Sequence, residues 1–287
     1  MPKKLRAHLL QSLSPIEIAT VSTSYDIVGD IVVLRPLSEN NVGQTVAAEI
    51  MNIHRNVKTV LSQQGKVAGD FRIRSLSHLA GEDRKTTLHR ESGCLFSVDL
   101  EKCYFLPRLG NERLRISKLV KPGETVVNMF AGMGCFSIVI AKQARSNLVF
   151  SIDINPEAIA LMRENIRLNT VYGTVIPLLG DSEEVVRQHF QGMADRVLMP
   201  LPEKAFEYLP AALSALKPTG GWLHLYDFQH ATKYEDPLEK TKARAAEKAS
   251  HMRFKYEHTF CRVVRSIGPN WYQTVLDMRV LPFPGKS

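Results

Sequence analysis

The sequence contains no apolar run approaching the roughly 20 residues that cross a bilayer. Its start, Met1-Pro2-Lys3-Lys4-Leu5-Arg6, lacks the apolar segment of a secretory signal. These absences argue against a membrane or secreted protein and lead to the expectation of a cytoplasmic one. Cysteine is scarce: Cys94, Cys103, Cys135 and Cys261 stand apart, with no C-x-x-C pair. That spacing argues against a zinc site and for free thiols in a reducing compartment. The nine histidines show no H-x-x-H or H-E-x-x-H spacing, so no metal is expected. A Walker A loop, with its G-K-[ST], is missing, and so is a complete G-x-G-x-x-G dinucleotide fingerprint. No internal repeat or low-complexity tract occurs.

What is present suits a folded enzyme. With 287 residues the chain can form one large domain or two of modest size, each with a core. Hydrophobic residues make up 44% and charged residues 23%, the balance of an ordinary globular protein rather than a disordered one. The formal net charge is +8, and the basic residues cluster: Lys66, Arg72, Arg74, Arg84, Lys85 and Arg90, then Arg108, Arg113, Arg115, Lys118 and Lys121. A polyanionic partner fits that distribution.

The most informative stretch runs from Glu124 to Pro156. It reads E-T-V-V-N-M-F-A-G-M-G-C-F-S and, further on, V-F-S-I-D-I-N-P: a buried strand, a glycine turn, a helix start, and a second buried strand ending in an acid. Gly132 and Gly134 remove side chains where a backbone must approach a ligand, and a helix beginning near Phe136 offers free N–H groups to an anion. Asp153, at the tip of the second strand, is placed to accept hydrogen bonds from a ribose diol. An ordinary βα turn is the plain alternative. The two-glycine form, preceded by Phe130 and Ala131, resembles motif I of the S-adenosylmethionine-dependent methyltransferases. Gly180-Asp181, after the apolar run Thr174 to Leu179, resembles the acid-bearing turn that contacts adenine in that family. Asn128 stands where many of those enzymes carry an acid near the methionine amino group; it can accept a hydrogen bond but brings no charge.

The rest of the pattern divides in two. In the first part, strands are expected at Ile31–Leu34 (stopped by Pro36) and Val57–Leu61, with a helix over 42–54 carrying Val46, Ile50 and Ile53 on one face. Phe71-Arg72-Ile73-Arg74 alternates as a half-exposed strand would, and 94–100 with 102–105 reads as a strand pair. A basic helix over 110–120 leads into a βαβα series. Its strands are 125–129, 148–152, 174–178, 195–199 and 221–226, and its helices 136–144, 156–168, 182–190 and 203–216. A charged helix over 237–252 and two final strands, near 257–266 and 272–281, complete it. The expectation is an α/β protein: a Rossmann-like class I methyltransferase sheet over 116–287 behind a small N-terminal α+β domain over 1–115.

Several segments together resemble one family more narrowly. They are S-Y-D-I-V-G-D-I-V-V-L at 24–34, H-R-N-V-K-T-V at 54–60, H-L-A-G-E at 78–82, H-R-E-S-G-C at 89–94 and C-Y-F-L-P-R-L-G-N-E-R-L-R-I at 103–116. With the glycine motif and I-D-I-N-P they resemble the archaeal and eukaryotic tRNA (guanine-37-N1)-methyltransferases, over roughly residues 20–285. The resemblance implies methyl transfer from S-adenosyl-L-methionine to a guanine beside the anticodon, with the tRNA anticodon stem-loop as partner and a monomeric enzyme. It matches Glu112 to the general base and Arg72 to the donor for guanine O6, with Arg74 as the alternative. Tyr104 and Arg108 match positions lining the substrate pocket, and Pro200 and Pro202 fall in the segment that holds the substrate in the family. Arg113, Asn128, Phe130, Ala131, Gly132, Gly134, Asp153, Ile154 and Asp181 match the cofactor site. The chemistry is consistent: N1 of guanine is protonated at neutral pH, so a base must take that proton, and charge then moves to O6. A helix-start carboxylate that complements the dipole is the alternative role for Glu112.

Two departures stand out. Met199-Pro200-Leu201-Pro202 replaces the Asn-containing segment after the fourth strand, and Pro200 brings neither a side-chain donor nor an N–H. A changed target, including a tricyclic wyosine-type guanine, is consistent with that. The resemblance also begins near residue 20, so the additional N-terminal module of relatives is not expected here. The nearest rival is transfer of the aminocarboxypropyl arm of the same cofactor; a non-catalytic RNA-binding shell and a small-molecule or protein methyltransferase are further alternatives. Asp227, after the expected strand 221–226, resembles an acid at a strand end, with a helix cap as the commoner role.

Overall fold

The computed structural model describes residues 2–21, 24–35, 40–69, 71–144 and 148–282; Pro36 and the Lys66 side chain lie outside what is described. Two compact units divide the chain, Met1–Gly110 and Asn111–Ser287.

The first unit opens with two helices, α1 (Pro2–Leu9) and α2 (Pro15–Thr20). A capping box starts α2: Ser14 accepts the Glu17 N–H while the Glu17 carboxylate accepts the Ser14 N–H. A four-stranded sheet follows in the order β1 (Tyr25–Val28), β2 (Ile31–Leu34), β3 (Thr59–Ala68), β4 (Ile73–Gly81). The β2–β3 pair is parallel, which requires a crossover, and α3 (Asn40–Ile53) supplies it. Val46 and Ile50 of α3 pack with Leu5, Leu9, Val32, Leu34 and Val60.

Two expectations for this unit are corrected. The strand at Cys94 pairs with residues before it: β5 (Thr86–Glu91) and β6 (Cys94–Asp99) form a hairpin through Ser92 and Gly93, at φ 50° and 76°. That conformation at both turn residues matches the strand twist, and no strand forms over 102–105. The alternation at 71–74 is inverted. Phe71 and Ile73 are exposed while Arg74 is buried, and Arg72 adopts a turn at φ 53° just before β4. A partner for the arginines, Tyr104, overrides the polarity pattern.

The second unit begins with α4, which spans Gly110–Leu119 and so starts at the boundary, and continues through β7 (Thr125–Asn128), α5 (Cys135–Gln143), β8 (Leu148–Asp153), α6 (Pro156–Asn169) and β9 (Val175–Leu179). Then come α7 (Ser182–His189), β10 (Arg196–Met199), α8 (Leu209–Ala215), β11 (Gly221–His230), α9 (Pro237–Met252), β12 (Tyr256–Gly268) and β13 (Trp271–Val280). The sheet order is β12-β13-β11-β10-β7-β8-β9. Strands β7 to β11 run parallel, and β13 and β12 are antiparallel. The parallel strands are buried on both faces, as Val126, Val127, Ile152, Val197 and Leu198 show.

From β7 the chain proceeds outward through β8 and β9, then returns to the other side as β10 and β11. The strand order therefore reverses between β7 and β10, and ligands of open α/β sheets bind at the carboxyl ends beside such a reversal. Helix α8 is shorter than expected: residues 203–208 form turns, and Pro210 sits in the first helical turn, a position it favours. Strand β11 continues to His230 because its register with β13 extends to His230↔Trp271. Asp227 thus lies within a strand, bonded by Gln229 and Arg244, and caps no helix. Among the described residues no helix is long and apolar enough to cross a membrane.

Candidate active site

The carboxyl ends of β7 to β10 are tied into one edge. The Ala131 N–H donates to Ile152 O at 2.9 Å, Met129 N–H to Leu198 O at 3.0 Å, and Gly180 N–H to Asp153 O at 3.0 Å. Ser182 Oγ donates to Met129 O. On this edge the glycine turn is left-handed at both positions. At Gly134 (φ 88°), a Cβ would stand 2.7 Å from Met162 Cγ, so helix α6 requires glycine there. At Gly132 (φ 54°), nothing lies within 4 Å of a Cβ position, which leaves open space against the backbone.

Asp153 secures this turn. Its Oδ2 accepts the Gly132 N–H at 2.6 Å and its Oδ1 the Asn155 N–H at 2.9 Å. Burial pushes the carboxyl pKa up against those two hydrogen bonds. Next to it Ile154 is exposed, and Leu179, in register with Asp153 on β9, is exposed too, so the edge carries an apolar rim. Asn128, fully buried, donates through Nδ2 to Ser137 Oγ at 3.1 Å, while its Oδ1 has no partner. A buried acceptor without a donor beside an open glycine turn matches a ligand carrying an ammonium group. Asp181 caps α7 through the N–H groups of Glu183 and Glu184, and it accepts the Tyr208 hydroxyl at 2.6 Å. Tyr208 in turn packs edge-on against Phe130, with centroids 5.2 Å apart. Tyr208 lies in a segment that reads as an ordinary helix, so its role at this edge has no signal in the sequence.

Glu112, in the first turn of α4, is 1% exposed. Arg115, one turn on, clamps it with Nη2 to Oε1 at 2.7 Å and Nε to Oε2 at 3.0 Å. The Tyr226 hydroxyl donates to Oε1 at 2.7 Å and Arg262 Nη2 donates to Oε2. Burial raises its pKa, but the guanidinium of Arg115 outweighs it, with Tyr226 and Arg262 adding, so the net shift is downward and the carboxylate is ionised at neutral pH. Beside it Arg113 is buried as well. Pro200 follows the end of β10 and is half-buried, and Pro202 is buried. None of Arg115, Tyr226 and Arg262 was expected here; Tyr226 and Arg262 come from distant strands and reach Glu112 only through the sheet order.

In the first unit the guanidiniums of Arg72 and Arg74 both lie over the Tyr104 ring, 4.7 and 5.1 Å from its centroid. Arg74 Nε is buried without a partner. Arg108 is engaged with Asp26 at 2.5 Å. Much of the basic cluster is similarly paired, Arg84 with Asp30 and Glu82 and Lys85 with Glu101, so its field is weaker than the residue count implies.

Comparison with known proteins agrees with this architecture. A family described as the TRM5/TYW2 methyltransferase domain matches residues 87–253, and one described as the TYW2 N-terminal domain matches residues 5–84. The chain is 40% identical over 259 residues to tRNA (guanine(37)-N(1))-methyltransferase Trm5b of Pyrococcus abyssi, covering 90% of this chain and 75% of that protein. It is 37% identical over 256 residues to tRNA 4-demethylwyosine(37)-methyltransferase Taw21 of Saccharolobus solfataricus, covering 88% and 92%. The solved complex of aTrm5 and tRNALeu superposes with a TM-score of 0.82 at 34% identity, over 98% of this chain and 79% of that one. By sequence and by fold, the chain belongs to the TRM5/TYW2 methyltransferase family.

Proposed function

We propose that this chain transfers a methyl group from S-adenosyl-L-methionine to N1 of guanine 37 of tRNA, with Glu112 as the general base. When bound, the cofactor supplies an electrophilic methyl group. The turn of Phe130, Ala131, Gly132 and Gly134 leaves backbone room for it at Gly132, and the free Asn128 Oδ1 suits its ammonium. Ile154 and Asp181 are assigned to its adenosine end, Asp153 to the ribose through lone pairs not used by Gly132 and Asn155, and Arg113 to its carboxylate.

The observation that carries the reading is Glu112: a buried carboxylate kept ionised in a methyltransferase fold. An ionised carboxylate can take the N1 proton, though its arginine partners lower its proton affinity. Arg262, the more exposed of the two, is the partner that can yield when a base enters. In the first unit, Tyr104 with Arg72 and Arg74 combines a stacking ring with donors, a set suited to a nucleobase and its O6. Arg108, Pro200 and Pro202 are assigned to the same substrate. A cytoplasmic, monomeric enzyme accompanies this reading.

Donor labelling tests it. Methyl-labelled cofactor should mark tRNA and carboxyl-labelled cofactor should not; the reverse would establish aminocarboxypropyl transfer. A second reading, methylation of 4-demethylwyosine at the same position, is favoured by Pro200, which removes a side-chain grip on guanine, together with the likeness to Taw21. Transfer to tRNA carrying that tricyclic base, and not to guanine, would select it.

A further inference from the structure

Behind Glu112 runs a chain of buried contacts that the roles assigned above do not use. Glu124 Oε2 accepts Arg196 Nε at 2.7 Å, and Arg196 Nη1 donates to His224 Nε2 at 2.6 Å. His224 Nδ1 meets Asp277 Oδ1 at 2.6 Å, and Arg115 Nη1 donates to Asp277 Oδ2 at 2.5 Å. Arg115 then clamps Glu112. Arg196, His224 and Asp277 are each at most 2% exposed. His224 and Asp277 face each other directly in the β11–β13 register, so the strands themselves hold this pair.

The donors fix the protonation pattern. An arginine has only N–H groups to offer, so His224 Nε2 is the acceptor; Nδ1 carries the proton and donates it to Asp277, and the ring is neutral. Among the described residues three carboxylates (Glu124, Asp277, Glu112) thus meet three guanidiniums (Arg196, Arg115, Arg262) in one connected set. Buried sets of this kind are costly unless every member is satisfied. Here each carboxylate is met, Arg262 Nε is left buried without a partner, and the line ends on the group assigned to proton abstraction.

We propose that Asp277 and His224 are positioning residues for the transfer: they hold the Arg115 guanidinium in the two-pronged pose that orients the Glu112 carboxylate. The inference rests on Glu112 being the base. Asp277 also offsets part of the positive charge that Arg115 directs at Glu112, which keeps the carboxylate a stronger proton acceptor. The groups that bear on this balance are Arg115 on α4, Arg196 on β10, Tyr226 and His224 on β11, Arg262 on β12 and Asp277 on β13, with the Phe260 ring against Arg115 at 4.8 Å.

The test is a double-mutant cycle on the single-turnover rate with a tRNA transcript, between about pH 6 and about pH 9. Glu112→Gln should be slow and gain rate steeply with pH, because guanine N1 must then lose its proton to solvent. Asp277→Asn should slow transfer by roughly tenfold to a hundredfold and acquire that same steep pH dependence. Combining the two should be no slower than Glu112→Gln alone, as for residues that act as a unit. Losses that multiply, an unchanged pH profile in Asp277→Asn, or an unchanged rate would each overturn the proposal. If Asp277→Asn does not bind the cofactor or melt cooperatively, His224→Leu carries the same cycle, since it removes the donor that holds Asp277. A wild-type rate in Glu112→Gln instead removes the base assignment itself, so the two failures are distinguishable.

Discussion

Replacing Glu112 with glutamine preserves shape and removes one negative charge from between Arg115 and Arg262. Two effects of very different size follow. As a base, Glu112 should account for about a hundredfold to ten-thousandfold in rate, or roughly 3 to 5 kcal/mol of barrier at 1.36 kcal/mol per decade. As a helix-start carboxylate alone it would contribute about 0.3 to 1 kcal/mol to stability and nothing to rate. Breaking a buried ion pair adds a cost of about 3 to 5 kcal/mol to folding. Here that is an upper figure, because Arg115 keeps Asp277 and Arg262 has access to solvent. At about 2 to 4 °C per kcal/mol for a unit of this size, melting should fall by roughly 10 °C. Rates are therefore compared well below the variant's transition, with cofactor affinity measured by equilibrium dialysis on the same sample. Slow transfer with near-normal cofactor affinity is the expected result. A rate within about threefold of wild type, or a parallel loss of affinity, would refute the reasoning.

The remaining expectations concern the cofactor edge and the buried histidine. Gly132→Ala adds a methyl group into open space at a left-handed φ, so it should cost about 1 kcal/mol of stability while cofactor affinity drops sharply. Gly134→Ala should lose stability first, since its Cβ meets Met162; equal melting temperatures for the two variants would contradict the geometry. Asp181→Ala removes the α7 cap and the Tyr208 contact, for a loss of about 0.5 to 2 kcal/mol in denaturant titration. For His224 the sign follows from burial, which lowers its pKa from 6.5. The unfolded chain then binds a proton that the folded one refuses, so stability is fully present above pH 6.5 and declines below it. The slope is at most about 1.4 kcal/mol per pH unit, and denaturant midpoints in His224→Gln should lose that component.

Some of this was legible in the sequence and some was not. The alternation from Thr125 to Leu225 follows from local signals: apolar runs, Pro156 at a helix start, and glycines where the chain turns. The glycine turn and Asp153 follow from it, because a βα turn is local and its ligand must approach backbone. The hairpin at Thr86–Asp99 departs from the expected strand pair because the two-residue turn at Ser92-Gly93 folds the chain back on residues before Cys94. The polarity of Arg74 does not predict its burial, because a ring thirty positions away, Tyr104, covers it. His224, Tyr226, Arg262 and Asp277 were invisible for the same reason: each lies on a strand whose pattern reads simply as buried or edge. Only the pairing of β11, β12 and β13 brings them to Glu112. Tyr226 carries the clearest trace of this, with a pKa raised well above the usual value by burial and by the Glu112 carboxylate.

The central claim is a methyl group delivered to one ring nitrogen of one nucleoside. Nucleoside mass spectrometry of a tRNA transcript incubated with the purified protein and S-adenosyl-L-methionine tests it most directly. The account requires 1-methylguanosine at position 37, and none when that guanosine is changed to adenosine. TRNA that emerges unmodified, or methylated at another atom or another position, would contradict it.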